Sequence, residues 1–332
     1  MSAQGPLSPP SAEALAADLA ALREGAAVVE RAADLLELTG PDRLRLLNGL
    51  VTADVKTLAP GTLARGFFTT GQGKILADFR LLALEERCVL VLPVGSGEAI
   101  RVHLEKYKVA SRVEMAPVRD RRLFELRGPK AGEVMAAATG LLAAEIDLTI
   151  DAPSGRSFLL PEASTSGEML MLRLRAGTDC ALREVSPAAV EIDRVENGEL
   201  LFGVDFSGEN FPQETGREAD VSYTKGCYLG QEVVARIHYR GGVQRLPRGL
   251  RFGAGRPPAA GTELLLDGRA VGRATSVASS PDFGAIGLGL LHQRGAAPGT
   301  LLEVAGGGGS DAAAVAEVVE LPFGPAQKDE AG

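Results

Sequence analysis

The feature that most constrains the fold of this 332-residue chain is a change of texture at Gly241-Gly242. Upstream of it, helical and strand-like periodicities alternate. Downstream, only short β-like runs remain, at residues 264–266, 270–277, 285–291, 301–304 and 315–321, each bounded by Gly, Pro or Asp. Short apolar strands separated by turn residues read as a small closed barrel or sandwich. The run Gly306-Gly307-Gly308-Gly309 falls among them as a hairpin tip. A C-terminal β-barrel over 241–324, followed by a tail at 325–332, is therefore expected.

Upstream, residues 1–10 are a Pro/Ser/Gly-rich tail. Leu15, Leu19 and Leu22 then recur at helical spacing up to Gly25, so 1–26 reads as tail and helix. Residues 28–38 read as extended. Gly40-Pro41 opens a helix that places Leu44, Leu47 and Val51 on one face. Ile75, Ala77, Phe79 and Leu81 alternate with Leu76, Asp78, Arg80 and Leu82, which predicts a strand with a well-buried face. Further strands are expected at 89–92, 113–115, 123–126 and 169–174. Helices are expected at 97–109, 129–140 and 187–197, the last stopped by Gly198. Strands that come mostly in pairs between helices predict an α+β region over 27–240, in two ferredoxin-like lobes rather than one doubly wound parallel sheet.

Charge narrows the function. Forty-three acids against 35 Lys/Arg make a net charge of −8, which excludes a general polyanion binder. Within that average, residues 225–251 carry six Lys/Arg against one acid, and residues 191–220 carry nine acids against two Arg. The basic stretch points to a local anionic ligand or partner patch, against the plainer reading of solvated, ion-paired surface. Cys88, Cys180 and Cys227 are too scattered for a disulfide framework or a zinc site. No apolar run approaches the ~18 residues of a membrane span, and the first 25 residues lack a signal-like apolar stretch. A bacterial cytoplasmic protein that makes no membrane contact is the expectation.

The chemistry concentrates in Lys225-Gly226-Cys227-Tyr228-Leu229-Gly230-Gln231-Glu232. Gly226 and Gly230 allow a sharp turn around Cys227. From Gln231 the composition is helical, with Val233, Val234 and Ile237 apolar and Glu232, Arg236 and Arg240 spaced four apart. That order suits a Glu232–Arg236 ion pair. Cys227, ahead of a helix start and two residues from Lys225, has surroundings that favour a thiolate and makes a candidate nucleophile, the plain alternative being a small residue packed in a turn. Tyr228 is able to stack on a ligand or simply to pack. Cys88 abuts an apolar strand and reads as core.

This octapeptide resembles the signature of the YgfZ family of folate-binding proteins, relatives of the aminomethyltransferase (T-protein) of the glycine cleavage system. The likeness extends over roughly residues 27–323. It includes Asn48-Gly49-Leu50-Val51-Thr52-Ala53-Asp54-Val55, Gly71-Gln72-Gly73-Lys74-Ile75-Leu76-Ala77-Asp78, Arg194-Val195-Glu196-Asn197-Gly198, Gly203-Val204-Asp205, Pro212-Gln213-Glu214 and Val271-Gly272-Arg273-Ala274-Thr275-Ser276. The resemblance implies a three-lobed molecule with tetrahydrofolate in a central funnel. It implies that Glu196 contacts the pterin, that Arg236, Tyr228, Gln231 and Glu232 attend the folate, and that Cys227, supported by Lys225, is the acting group. Aminomethyltransferases carry a catalytic Asp after the strand corresponding to 88–92; here that stretch is Pro93-Val94-Gly95-Ser96-Gly97-Glu98, without it.

The implied role is a folate-binding accessory protein for iron–sulfur cluster assembly or repair and, through iron–sulfur enzymes, for tRNA modification. Its expected partners are such enzymes or cluster-assembly proteins. The alternative is a folate-dependent aminomethyl or one-carbon transferase. Direct nucleic-acid contact is not expected, because no aromatic stacking run accompanies the basic stretch.

Overall fold

The structure, a computed structural model, describes residues 10–119, 121–134, 148–152, 155–161, 182–253, 256–306 and 315–324. Helix α1 (Ala12–Glu24) begins where the Ser11 hydroxyl accepts a hydrogen bond from the Ala14 N–H and ends at Gly25. The extended stretch that follows is two strands, β1 (Ala26–Arg31) and β2 (Asp34–Thr39), and they belong to different sheets.

The N-terminal lobe is the sheet β3-β4-β5-β2-β6, from β3 (Leu63–Thr69), β4 (Ile75–Ala83), β5 (Arg87–Leu92) and β6 (Glu114–Pro117) around β2. Helices α2 (Arg43–Asn48) and α3 (Gly97–Tyr107) pack on it. Alternation along β4 buries Ile75, Ala77, Phe79 and Leu81, the last three in one cluster with Leu36, Leu38, Leu47 and Leu90. Cys88 is completely buried there, and burial pushes its thiol up to about 12.

The second lobe is the sheet β10-β1-β7-β9-β8, from β7 (Arg121–Arg127), β8 (Leu148–Ala152), β9 (Gly155–Pro161) and β10 (Leu182–Glu184). Its strand β1 precedes the whole first sheet in the chain, so the N-terminal lobe is nested inside the second one. Helix α4 (Pro187–Glu196) follows, capped by the Ser186 hydroxyl, with Pro187 at its first turn and Gly198 at φ +70° beyond its end. Of the sequence-predicted elements, most of the 129–140 helix, the 169–174 strand, Cys180 and both terminal tails lie outside the described residues.

After α5 (Gln231–Arg240) the chain enters a closed six-stranded barrel, β11-β14-β13-β12-β15-β16. Its strands are β11 (Arg245–Phe252), β12 (Glu263–Leu266), β13 (Arg269–Ser280), β14 (Gly284–His292), β15 (Leu301–Val304) and β16 (Val315–Val319). Five of these match the runs read from the sequence. The first, β11, does not, because Arg245, Pro247, Arg248 and Gly249 break any apolar pattern. Pro247 is tolerated because pairing with β16 begins only at Gly249, leaving its missing N–H outside that ladder.

The units share cores. Leu19 and Leu22 of α1, Val190, Ile192 and Val195 of α4, and Ile286 and Leu288 of the barrel form one buried cluster. Beneath it, the Arg194 guanidinium donates to Asp205 at 2.8 Å and to the Ser276 hydroxyl of β13 at 2.6 Å, while Thr275 and Ser276 donate to the other Asp205 oxygen. Arg194 and Asp205 are fully enclosed and satisfied, the condition under which a buried ion pair is tolerated.

Candidate functional site

The cysteine-bearing loop is built from contacts to the N-terminal lobe. Lys225 is buried, and its Nζ donates to the carbonyls of Asn48, Val51 and Ala53 at 2.6–2.7 Å. Burial pushes the Lys225 pKa down to about 8. None of these bonds goes to Cys227. The lysine therefore anchors the loop to the turn after α2, which is not where a thiolate-stabilising cation would point.

Four more hydrogen bonds fix the loop. Leu229 N–H donates to Gly49 O at 3.0 Å, and the Thr69 hydroxyl donates to Leu229 O at 2.6 Å. The Gln231 amide accepts from Tyr228 N–H at 3.3 Å and donates to Lys225 O at 3.5 Å. Gly230, at φ +84°, rests on the β3–β4 turn, where a Cβ would lie 2.4 Å from Thr70 O and 3.0 Å from Gly73 Cα. Gly226 has no such need, since a Cβ there would meet nothing within 4 Å.

Tyr228 packs. It is buried with Phe67, Ile75, Phe206, Val234 and Leu290, its hydroxyl has no hydrogen-bond partner among the described residues, and burial pushes its pKa up. Gln231 is a loop fastener, and Cys227 is left exposed on the loop's crest, four residues before α5. Glu232 and Arg236 are exposed on the outer face of α5 and form no ion pair with each other, contrary to the sequence expectation. Both side chains remain in water, where such a pair contributes little.

A dense concentration of charge lies elsewhere. A cavity of about 470 Å³ opens between the two sheets, the segment after α4 and the start of the barrel. Six arginines line it (Arg31, Arg65, Arg80, Arg127, Arg217 and Arg248) against Asp78, Glu125, Glu199 and Glu320. Glu125 is buried, which opposes its charge, yet Arg80, Arg31 and Arg127 hold its carboxyl well below the usual range. Arg217 bridges Asp78 and Asp220, both at 2.6 Å. Arg65, 3.6 Å from Asp220, has its pKa pushed down by burial, with Arg217 and Arg80 acting in the same direction. Such a wall presents positive charge already desolvated, the setting in which an arginine fork holds a carboxylate well.

Glu196 does not line this cavity. Its carboxylate accepts two bonds from Arg23 at 2.7 and 2.8 Å and one from the Ser280 hydroxyl at 2.6 Å, joining α1, α4 and β13. Three residues on, Glu199 does line it. One Glu199 oxygen accepts from Arg127 at 2.8 Å, and the other is buried without a partner among the described residues. An acceptor in that state costs free energy until a donor reaches it. None of Cys227, Lys225, Tyr228, Gln231, Glu232, Arg236 and Glu196 lines the cavity.

Sequence reasoning missed the cavity residues because their positions are far apart in the chain. One signal was available. Asp78 and Arg80 interrupt the otherwise apolar β4 at alternate positions, which marks a polar face toward something other than solvent. Among the described residues, no group of His, Cys, Asp or Glu is arranged to hold a metal ion, and no helix is long and apolar enough to cross a membrane.

Comparison with known proteins supplies the family context. The GCVT N-terminal domain model matches residues 6–150, and the glycine cleavage T-protein C-terminal barrel domain model matches residues 248–323. A protein from Yersinia pseudotuberculosis named tRNA-modifying protein YgfZ is 33% identical over 242 residues, 69% of this chain and 72% of that one. Its namesake from Hamiltonella defensa is 29% identical over 219 residues, 62% of this chain and 64% of that one. Among solved structures, the glycine cleavage system aminomethyltransferase T of Bartonella henselae superposes with a TM-score of 0.79 at 22% identity, over 93% of this chain and 89% of that one. At that identity the likeness concerns the fold.

Proposed function

The chain belongs to the YgfZ family, built on the fold of the glycine cleavage T-protein, and from that premise we propose that it is a tetrahydrofolate-binding accessory protein of the bacterial cytoplasm. Its clients in this reading are iron–sulfur enzymes or cluster-assembly proteins, and through them tRNA modification. One observation carries the folate part: an arginine-lined cavity at the junction of the three units with an orphaned carboxylate oxygen, that of Glu199, in its wall. A folate has the complementary chemistry. Its aminopyrimidine edge offers neighbouring N–H donors to a carboxylate, and its glutamate end carries carboxylates for arginines. The residues that fit are Glu199 for the first and Arg65 and Arg248 for the second, with Glu196 holding α1 and the barrel in place behind them. When bound, tetrahydrofolate supplies amine nitrogens able to take up a one-carbon unit.

The accessory reading is favoured over a transferase by the turn before α3. Residues 93–98 contain no Asp, the neighbouring Asp34 carboxylate is held by Gly97 N–H at 2.8 Å, and Glu98, 72% exposed, accepts both bonds of the Arg101 fork at 2.7 and 2.8 Å on the surface. Cys227 is the proposed acting group. A single thiol holds no cluster, since about four ligands are usual, so cluster contact would be shared with a partner, which an exposed crest permits.

Calorimetric titration with tetrahydrofolate tests the binding. Saturable binding is expected, weakened at least about tenfold by Glu199→Gln; a flat titration of folded protein removes the folate reading. Cys227→Ala in the native host is expected to lower iron–sulfur enzyme activity with folate binding preserved, and full activity would remove the thiol from the mechanism.

A further inference from the structure

The outer face of α5 carries an aromatic cluster that the sequence disperses. Tyr223 and His238, fifteen positions apart, stack face to face with ring centroids 3.8 Å apart and planes 16° apart. Tyr239 meets both edge-on, at 6.2 and 4.9 Å, and is 70% exposed. Around them the cations are unengaged. Most arginines of the N-terminal lobe and the cavity are ion-paired, but the side chains of Arg236, Arg240, Arg245 and Arg273 make no ion pair or hydrogen bond among the described residues. Arg236 and Arg240 lie on α5. Arg245 opens β11, directly opposite His292 of β14, and with Arg273 and His292 it lines a cleft of about 810 Å³ between the barrel and residues 203–210. Its acids are Glu232 on the helix, exposed Glu218 near Tyr223, and Asp205, Glu209 and Glu263 lining the cleft, of which Asp205 is already engaged by Arg194.

From this juxtaposition we propose that the α5 face and the adjoining cleft bind single-stranded RNA, with bases stacking on the Tyr223–His238–Tyr239 platform and phosphates meeting Arg236, Arg240, Arg245 and Arg273. Ring faces recognise unpaired bases of any sequence, and unpaired arginines recognise the backbone. A protein partner is less well matched, because Tyr239 is the only large apolar side chain exposed on α5 and Val204 is the one large aliphatic side chain exposed among the described residues of the cleft. The choice of RNA over DNA rests on the tRNA-linked reading above. The sequence expectation of no direct nucleic-acid contact depended on the lack of an aromatic run, and folding supplies the cluster.

Fluorescence anisotropy of a labelled 12-nucleotide single-stranded RNA with the full chain tests this, with a duplex RNA and a single-stranded DNA of the same length as comparisons. The single strand is expected to bind with a slope of log affinity against log salt of about −3, from four phosphate contacts at about 0.7 each. Tyr239→Ala, at an exposed position, is expected to weaken it about tenfold with the melting curve unchanged. Arg240→Ser with Arg245→Ser is expected to reduce the slope by about 1.4. No binding at low salt, equal binding of duplex, or binding that both variants leave intact would overturn the proposal. DNA preferred over RNA would overturn the choice of nucleic acid. Loss of a protein client in these variants without any RNA binding would make the face a protein interface and also overturn it. Folate titration of the same variants is expected to be unchanged, so failure here and failure of the folate reading are separable.

Discussion

Three carbonyls converge on the Lys225 ammonium at 2.6–2.7 Å, in a place where burial pushes its pKa only to about 8. At pH 7 it is therefore still mostly charged and donates three bonds. Lys225→Met strips three buried acceptors of their donor, and urea unfolding at pH 7 should show a loss of about 2–4 kcal/mol. A loss below about 0.5 kcal/mol would mean that water satisfies the carbonyls instead. The two described cysteines differ in the opposite way from a shared chemistry. Cys88 is enclosed with its thiol raised to about 12, and Cys227 is exposed, so iodoacetamide at pH 7.5 should label Cys227 in the folded protein and leave Cys88 untouched until denaturation. Glu125 sets the acid limit. Its folded pKa lies well below the 4.5 of a free Glu, so its stabilisation is complete above about pH 4.5 and declines as pH falls toward the folded value. Unfolding free energy should drop between pH 7 and pH 3.5 by less in Glu125→Gln than in the parent. An equal drop in both would assign the acid limb to other carboxylates.

At the scale of elements, the two glycines of the cysteine motif separate conformational need from coincidence. Gly230 combines φ +84° with a backbone contact that leaves a Cβ 2.4 Å from Thr70 O, whereas Gly226 borders open space. Gly230→Ala is expected to lower stability by about 1–3 kcal/mol and Gly226→Ala by less than about 0.5 kcal/mol, compared by thermal unfolding. Equal effects would show that the β3–β4 turn yields to the added methyl group. Local signals of this kind made much of the fold legible. Leu15, Leu19, Leu22 and Gly25 define α1; Pro187 and Gly198 bracket α4; turn residues delimit five barrel strands. What was not legible depends on distant partners. Nothing in residues 28–38 says that β1 and β2 join different sheets, and the arginines of β11 hide a strand whose inner side is held by β14 and β16. The site divides the same way. The Cys227 loop stands out as a contiguous motif, while Arg65, Glu125, Glu199, Arg217 and Arg248 become a site only through folding.

For the molecule as a whole, the question is whether two lobes and a barrel behave as independent domains. A chain of this size with three units would ordinarily be expected to unfold in steps. Here the buried faces are not private to each unit. The cluster of Leu19, Leu22, Val190, Ile192, Val195, Ile286, Leu288 and Phe323 draws on α1, α4, the barrel and the segment after it, and Tyr228 and Val234 share a second cluster with Phe67 of β3 and Leu290 of β14. Polar ties run along the same seams, from Arg194 through Asp205 to Ser276, and from Arg23 through Glu196 to Ser280. Releasing the barrel would expose both clusters and strip the buried Arg194–Asp205 pair of its Thr275 and Ser276 partners, a cost of several kcal/mol that no partial unfolding recovers. Calorimetry of the full chain should accordingly give one transition whose van't Hoff and calorimetric enthalpies agree. Removal of the residues from 243 onward should leave a species that binds a hydrophobic dye and lacks a cooperative melt. A distinct barrel transition, or a folded 10–242 fragment, would show that the seams are contacts between finished domains. A ligand in the central cavity would then be what joins them.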